Sequence, residues 1–186
     1  WNPANGRPLF TNNLGGSSLS FRHIAPLPPL PDRGGGELRT GSLAAFRSTS
    51  WGAFVAVFAR EGPSFVLRRQ FSVAGGASLW EGLASGADYW GAELGNVYLA
   101  ASLVDGTIVL GVTGNRALFL YNPHSGAETI APYAAEIDWL QGLAALPSGE
   151  IAVVGANRKV RFYRPACTGA EAPVLGEVLH ALDLPA

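Results

Sequence analysis

The strongest constraint on the fold of this chain is an internal repeat. Residues 99–128 recur as residues 143–171, about 43 positions later. The matched positions hold the same or similar residue types: Gly106, Ile108, Asn115, Arg116, Tyr121, Pro123 and 126–128 match Gly149, Ile151, Asn157, Arg158, Tyr163, Pro165 and 169–171. A repeat of this length indicates small units that bury their surfaces against one another, so we expect a chain of stacked copies.

Each copy has the pattern of short antiparallel strands. Residues 107–112 and 151–155 are rich in β-branched side chains, which favour strands. Residues 117–121 and 159–163 alternate, which places every second side chain on one face. The shared faces are expected to hold Leu118 with Leu120, and Val160 with Phe162. Each copy therefore predicts a small antiparallel sheet that needs a neighbour to cover its faces.

Turn-forming residues separate these strands at matching places. Asp105-Gly106 and Ser148-Gly149 precede the first strand of each copy and are strong hairpin signals. Gly114-Asn115 and Ala156-Asn157 lie between the two strands, and glycine and asparagine tolerate a positive φ. We therefore expect the second turn of each copy to place its left-handed residue at these pairs.

The repeat predicts the organisation of residues 37–186. Residues 43–71 share the layout and form a weaker third copy, ahead of 99–126 and 143–169. Residues 173–186 resemble the start of a further copy, so they either begin another unit or close a ring by pairing with residues 18–22. A short helix over 176–182 is the competing local interpretation.

The first 36 residues have a different character. Residues 18–22 alternate and predict a strand, and residues 25–36 combine four prolines with three glycines. Proline and glycine at this density disfavour both helix and ladder. Residues 1–36 are therefore interpreted as an N-terminal strand followed by a Pro/Gly-rich linker.

The order Asp-Gly, apolar strand, turn, strand, aromatic residue, turn and glycine, which runs through 105–126 and again through 148–169, resembles the WD40-like β-propeller family. The resemblance implies an all-β fold, a β-propeller or propeller fragment of about three to four antiparallel blades. Because propellers usually have about four to eight blades, we expect part of the ring to be missing from this sequence.

The chain departs from the family where the Trp-Asp pair of each repeat is expected. Tyr121-Asn122, Tyr163-Arg164 and Arg69-Gln70 occupy those places. The Gly-His pair is missing too, so the family's buried polar network is not carried over. We therefore expect the blades to be held by apolar packing and turns more than by buried polar groups.

Composition excludes several classes of function. The net charge of -1 gives no basic footprint for nucleic acid or an anionic membrane. No apolar run is long enough for a membrane span. A single cysteine, Cys167, rules out an internal disulfide framework and favours an intracellular location, although a leader segment of a longer chain would change that expectation. The sequence predicts no cofactor and no metal.

No catalytic constellation stands out. His23, His124 and His180 have no neighbours at ligand or acid–base spacing. Propeller enzymes place carboxylates around a central channel, which keeps a second hypothesis open: a propeller enzyme or a carbohydrate-binding module. The carboxylates considered for that channel are Asp88, Glu93, Asp105 and Glu136. A structural subunit of a large assembly or filament is the third hypothesis.

The leading hypothesis is a non-enzymatic protein-interaction scaffold that binds protein partners through rim and inter-blade loops, as part of a larger complex. Residues 27–33 have the form of a polyproline ligand, in which Pro28 and Pro31 would dock and Arg33 would meet an acidic patch. A stiff spacer is the alternative interpretation of that segment. The other candidate partner-binding residues lie in the 72–98 insertion and in the repeat turns: Trp80, Trp90, Arg116 and Arg158.

Overall fold

The computed structural model describes residues 21–31, 37–38, 41–49, 52–61, 64–72, 97–113 and 116–185. These residues form β-strands and no helix, which confirms the all-β prediction for the described part of the chain. The strands are β1 (Phe21–Pro26), β2 (Leu30–Pro31), β3 (Glu37–Leu38), β4 (Leu43–Thr49), β5 (Gly52–Glu61), β6 (Ser64–Ser72), β7 (Val97–Ala101), β8 (Ile108–Val112), β9 (Ala117–Tyr121), β10 (Glu128–Pro132), β11 (Leu140–Ala145), β12 (Ile151–Gly155), β13 (Lys159–Tyr163) and β14 (Val178–Asp183).

The strands make three four-stranded antiparallel sheets and one short hairpin. Sheet 1 has the order β1-β4-β5-β6, with the β2-β3 hairpin inserted between its first two strands. Sheet 2 consists of β7, β8, β9 and β10, and sheet 3 of β11, β12, β13 and β14, each paired in chain order. Each sheet is therefore a local meander, as a chain of repeated units requires.

The N-terminal segment belongs to sheet 1 more than the linker interpretation allowed. β1 pairs with β4, and its last residue, Pro26, lies opposite Leu43. Leu30 and Pro31 pair with Leu38 and Glu37 in the short hairpin. Proline is tolerated here because β1 is the edge strand of the described sheet, where a missing N–H breaks no central ladder bond.

The repeat is visible in the matching strands of sheets 2 and 3. Ile108 lies opposite Tyr121 in sheet 2, and Ile151 lies opposite Tyr163 in sheet 3. Gly106 and Gly149 both have positive φ, as their Asp-Gly and Ser-Gly turns predict. The positive φ of the second turn in sheet 3 falls on Arg158, and not on the Ala156-Asn157 pair.

Residues 173–186 do not behave as the start of another unit. β14 pairs along β13, from Lys159 opposite Asp183 to Tyr163 opposite Val178, and forms the fourth strand of sheet 3. The match of residues 169–171 to 126–128 predicted the wrong place for this strand. In sheet 3 residues 164–177 form a long connection, which contains an isolated Ala166–Val174 bridge. In sheet 2 the fourth strand begins at Glu128, directly after the matching turn.

The sheets stack face to face in chain order. One face of sheet 2 packs on sheet 1 through a cluster that includes Ile108, Leu110, Tyr121, Phe46 and Val55. The opposite face packs on sheet 3 through another cluster, which includes Val109, Leu118, Leu120, Ile151 and Val153. Sheet 2 is therefore covered on both faces, and the predicted common face of Leu118 and Leu120 is confirmed.

The first strands of successive sheets adjoin. β1 contacts β7, and β11 contacts both β7 and β8. The fourth strands β6, β10 and β14 each end the strand order of their sheet. Each sheet therefore runs from a shared inner region at its first strand to an outer edge at its fourth.

Candidate partner-binding site

One end of sheets 2 and 3 gathers the β8–β9, β10–β11 and β12–β13 connections. We call it the loop end, and its described residues are Thr113, Arg116, 133–139 and 156–158. The hydroxyl of Thr113 donates a hydrogen bond of 2.9 Å to the carbonyl oxygen of Leu140, which joins the first of these connections to the start of β11. The loop end is thus a shared surface of the two sheets.

Trp139 is the largest exposed side chain of the loop end, with 59% of its surface accessible. Its backbone is fixed, because the N–H of Ala156 donates to the Trp139 carbonyl at 2.8 Å. The side-chain amide of Asn157 donates to the carbonyl of Glu136 at 2.8 Å. An indole presented on a rigid loop fits the character of the residues that dominate protein–protein interfaces.

Arg158 lies in the neighbouring turn with a φ of 62°, in the left-handed region. Its N–H donates to the Gly155 carbonyl at 3.1 Å, and its own carbonyl accepts from the N–H of Leu184 at 3.0 Å. The guanidinium donates to the Pro185 carbonyl at 3.1 Å while the residue stays exposed. These bonds tie the turn to the segment after β14.

A buried arginine holds the loop end to sheet 3. The side chain of Arg161 is only 7% exposed, and it donates to Glu136 at 2.8 Å and to Asp183 at 2.9 Å. It also donates to the carbonyl of Val160 at 2.9 Å. Hydrogen bonding to Arg161 lowers the pKa of both carboxyl groups below their usual values. The two acids are therefore held in the charged form as structural partners of one cation.

Charged residues of both signs surround the half of the loop end that faces sheet 2. Tyr133 is buried, and burial raises the pKa of its phenol. Arg116 opposes that rise and Asp138 adds to it, so a basic and an acidic group both act on this ring. Arg116 and Asp138 are exposed. The loop end therefore offers an exposed indole together with nearby charges of both signs.

The opposite end of sheets 2 and 3 is occupied by structural contacts. Asp105 accepts from the Thr107 N–H and hydroxyl and, at 2.8 Å, from the N–H of Cys167. Asn122, which is fully buried, donates to the carbonyls of Gly169 and Glu171. Burial raises the pKa of the Cys167 thiol. This end binds the long β13–β14 connection to the turns of sheet 2.

The contacts of Asn122 show that a buried polar side chain does help to hold sheets 2 and 3 together, beside the apolar packing and turns that we expected. Its side-chain oxygen also accepts from the backbone N–H groups of His124 and Ser125. One side chain therefore closes its own turn and binds the next sheet. The Tyr121-Asn122 pair lacks the residues of the family network, but an asparagine amide both donates and accepts, and so it supplies a network of its own.

The sequence-predicted site residues fall in several places. Arg116 and Arg158 are both exposed at the loop end. Pro28 is buried in the segment after β1, and Pro31 lies in β2, opposite Glu37. Arg33, Trp80 and Trp90 lie outside the described residues. Sequence reasoning missed Trp139, because polar and apolar residues alternate in 135–141 and gave no signal that the indole is exposed.

The residues considered for catalysis are not brought together. Glu136 lies at the loop end and Asp105 at the opposite end, each bound to its own partners. Asp88 and Glu93 lie outside the described residues. The three histidines lie in β1, in the turn after β9 and in β14. Within the described ranges, no three His, Cys, Asp or Glu side chains form a group that could hold a metal ion.

Among the described residues there is no helix of the length and apolarity needed to cross a membrane. The chain matches no protein-family model, and no curated protein matches it.

Proposed function

We propose that this chain is a series of WD40-like β-propeller blades that acts as a non-enzymatic protein-interaction scaffold, with the loop end as its partner-binding surface. The observation that carries the proposal is the adjoining of β1, β7 and β11, the first strands of three successive four-stranded meanders. Propeller blades are four-stranded antiparallel sheets whose first strands surround a common axis. Face-to-face stacking of sheets 1, 2 and 3 supports the same arrangement.

The scaffold role is supported by how the polar groups are used. Arg161, Asp105 and Asn122 bind other parts of the same chain and leave no free reactive group at their positions. Trp139 and Arg116, by contrast, are exposed, and the Trp139 carbonyl is held by the N–H of Ala156. Tryptophan and arginine are the residue types most enriched among the side chains that dominate interfaces.

The test is partner capture from the source organism with matched variants. The chain carrying Trp139→Ala and Arg116→Ala is compared with the unaltered chain and with Val104→Ala. Val104 is 66% exposed in a turn at the opposite end of sheet 2, against 59% for Trp139, so it is a control of similar exposure. Proteins retained by each bait are quantified by mass spectrometry, after thermal unfolding has shown that the baits are equally folded.

We expect a defined set of proteins to bind the unaltered chain and Val104→Ala, and to be reduced at least about tenfold on the loop-end variant. Retention of no protein above the bare matrix would contradict the scaffold function. Equal loss from both variants would contradict the location of the site.

A further inference from the structure

β14 is the outer strand of sheet 3, and one of its edges pairs with no strand in the described part of the chain. Four apolar side chains in β14 and directly after it are between 41% and 47% exposed: Val178, Leu179, Leu182 and Leu184. An apolar strand with a free edge is a template for another strand, and proteins usually guard such edges.

The outer strands of the other two sheets carry guards that β14 lacks. β6 contains the adjacent arginines Arg68 and Arg69, and β10 begins at Glu128 and ends at Pro132. Charges and proline are the usual means of preventing strand addition. β14 itself contains one charged residue, Asp183, and no proline; Pro185, two residues after its end, leaves the backbone groups of Ala181 and Asp183 free to pair.

The two polar side chains of β14 are turned onto its own sheet. Asp183 accepts from Arg161 at 2.9 Å, and the ring of His180 meets the ring of Phe162 edge-on at 6.4 Å. Neither interaction involves the outer edge. Of the three outer strands, β14 is therefore the one whose composition leaves the edge open.

The hydrogen bond between Leu184 and Arg158 shows which backbone groups face outward. The Leu184 N–H donates inward, to the Arg158 carbonyl of the β13 side. Because backbone groups alternate along an antiparallel strand, Leu182 shares this inward direction. Ala181 and Asp183 then present their N–H and C=O groups to the open edge. The pairing of β14 with β13 is regular from His180 onward, after a shift in register between Val178 and His180.

We propose that β14 is the dimerisation edge of the protein: the β14 strands of two copies pair antiparallel about a two-fold axis at Leu182. Ala181 of each copy then lies opposite Asp183 of the other, and each such pair exchanges both backbone hydrogen bonds. Leu182 faces its own counterpart, and His180 faces Leu184. The inference rests on the pairing and the side chains of β14 and does not depend on the proposed function.

A second copy fits this edge for two reasons. The register opposes Asp183 to an alanine, so no like charges meet across the axis. A two-fold pairing also uses the same edge twice and closes, whereas the guarded edges of β6 and β10 offer no second attachment point. The expected product is therefore a dimer and not a filament.

Site-directed cross-linking tests the register in the 186-residue chain with Cys167→Ser as background. Leu182 would face itself in a non-hydrogen-bonded pair, with Cα atoms about 4.5 Å apart, inside the range of about 4.4–6.8 Å that a disulfide spans. Leu182→Cys is expected to form a cross-linked dimer under mild oxidation. Leu184→Cys is the matched control, since the same register separates its two copies by about 13 Å.

Charge insertion tests the edge itself. Leu182→Lys places two lysines opposite each other and is expected to raise the dimer Kd at least about tenfold in sedimentation equilibrium. Ile130→Lys is the control, because Ile130 is 50% exposed on β10, against 47% for Leu182 on β14. It is expected to leave the Kd unchanged.

Three results would overturn the proposal. One is a chain that stays monomeric up to about 1 mM. Another is a dimer that Leu182→Lys and Ile130→Lys weaken equally. The third is cross-linking as fast at position 184 as at position 182, which would indicate a different register or non-specific association.

Discussion

Tyr121 and Tyr163 occupy the same position in successive copies of the repeat but differ in their hydrogen bonding. The Tyr163 hydroxyl accepts from the N–H of Ala134 at 2.7 Å. The Tyr121 hydroxyl is buried and has no hydrogen-bond partner among the described residues. Burial raises the pKa of both phenols, and the rise is large for Tyr121. A hydroxyl that gives up water without a partner destabilises the fold.

Replacing each tyrosine with phenylalanine should therefore have opposite consequences. We expect Tyr163→Phe to lower the free energy of unfolding by about 1–2 kcal/mol, because it leaves the Ala134 N–H without its acceptor. Tyr121→Phe should leave that free energy unchanged or raise it by up to about 1 kcal/mol. Urea denaturation measures both, and a larger loss in Tyr121→Phe would show that its hydroxyl is bonded.

Gly111 in β8 lies against side chains of sheet 3. A Cβ at this position would overlap the side chain of Leu140 in sheet 3 and lie 3.1 Å from Leu118. Gly142 lies in the first strand of sheet 3, and its Cβ would meet only Val154, at 3.9 Å. The two glycines form a matched pair, one crowded and one with ordinary contacts.

Gly111→Ala is accordingly expected to lower the free energy of unfolding by about 1–3 kcal/mol through overpacking. Gly142→Ala should change it by less than about 0.5 kcal/mol. Denaturant unfolding of both variants provides the comparison. Equal effects would mean that sheets 2 and 3 separate enough to accept the added methyl group.

At the scale of elements, Arg161 joins three segments of the chain. They are its own strand β13, the 133–139 connection through Glu136, and β14 through Asp183. Glu136 and Asp183 have pKa values lowered in the folded state from 4.5 and 3.8. A lowered pKa means that the folded protein binds protons less readily than the unfolded chain. Their stabilising contribution is complete above the unfolded values and is lost as the pH falls through the folded ones.

We therefore expect the acid limb of stability to depend on these two carboxyl groups. The chain should lose stability as the pH falls below about 4.5, and the double variant Glu136→Gln with Asp183→Asn should show a shallower loss. Thermal unfolding between about pH 6 and pH 3 makes the comparison. Glu177→Gln is a suitable control, since that exposed carboxylate follows Gly176 in the long connection before β14. Identical slopes in the double variant and the unaltered chain would contradict the expected role of the pair.

The elements that sequence patterns predicted best are those with local signals. β8, β9, β12 and β13 follow from alternation and from the Gly106 and Gly149 turns, because both depend on near neighbours in the chain. β14 was misplaced because the length of the connection before it is not encoded in the strand pattern. Pairing along β13 depends on contacts between distant residues.

The candidate site was predicted only in part, for a similar reason. Arg116 and Arg158 followed from their matched turn positions, and both are exposed at the loop end. Trp139 was missed because the bond that fixes its backbone comes from the N–H of Ala156, in a different turn of the chain. The Asn122 contacts span 47 and 49 residues, a separation that no local pattern reveals.

For the whole molecule, the stacking order produces unequal environments for equivalent strands. β8 has its five residues buried, since sheet 1 covers one face and sheet 3 the other. β12 is the matching strand of sheet 3, and its inner residues Ile151 and Val153 pack on sheet 2. On its other face Val154 is half-buried, at the position that Gly111 fills in sheet 2. Sheet 2 is thus the central layer of the described sheets.

Amide hydrogen exchange should reveal this order of layers. Exchange from a central strand requires both neighbouring sheets to separate, whereas exchange from β12 requires only the opening of sheet 3. We expect the amides of β8 to exchange at least about tenfold more slowly than those of β12 after correction for intrinsic rates. Peptide-resolved mass spectrometry provides the rates. β12 exchanging as slowly as β8 would show that sheets 2 and 3 open only together, as one cooperative unit.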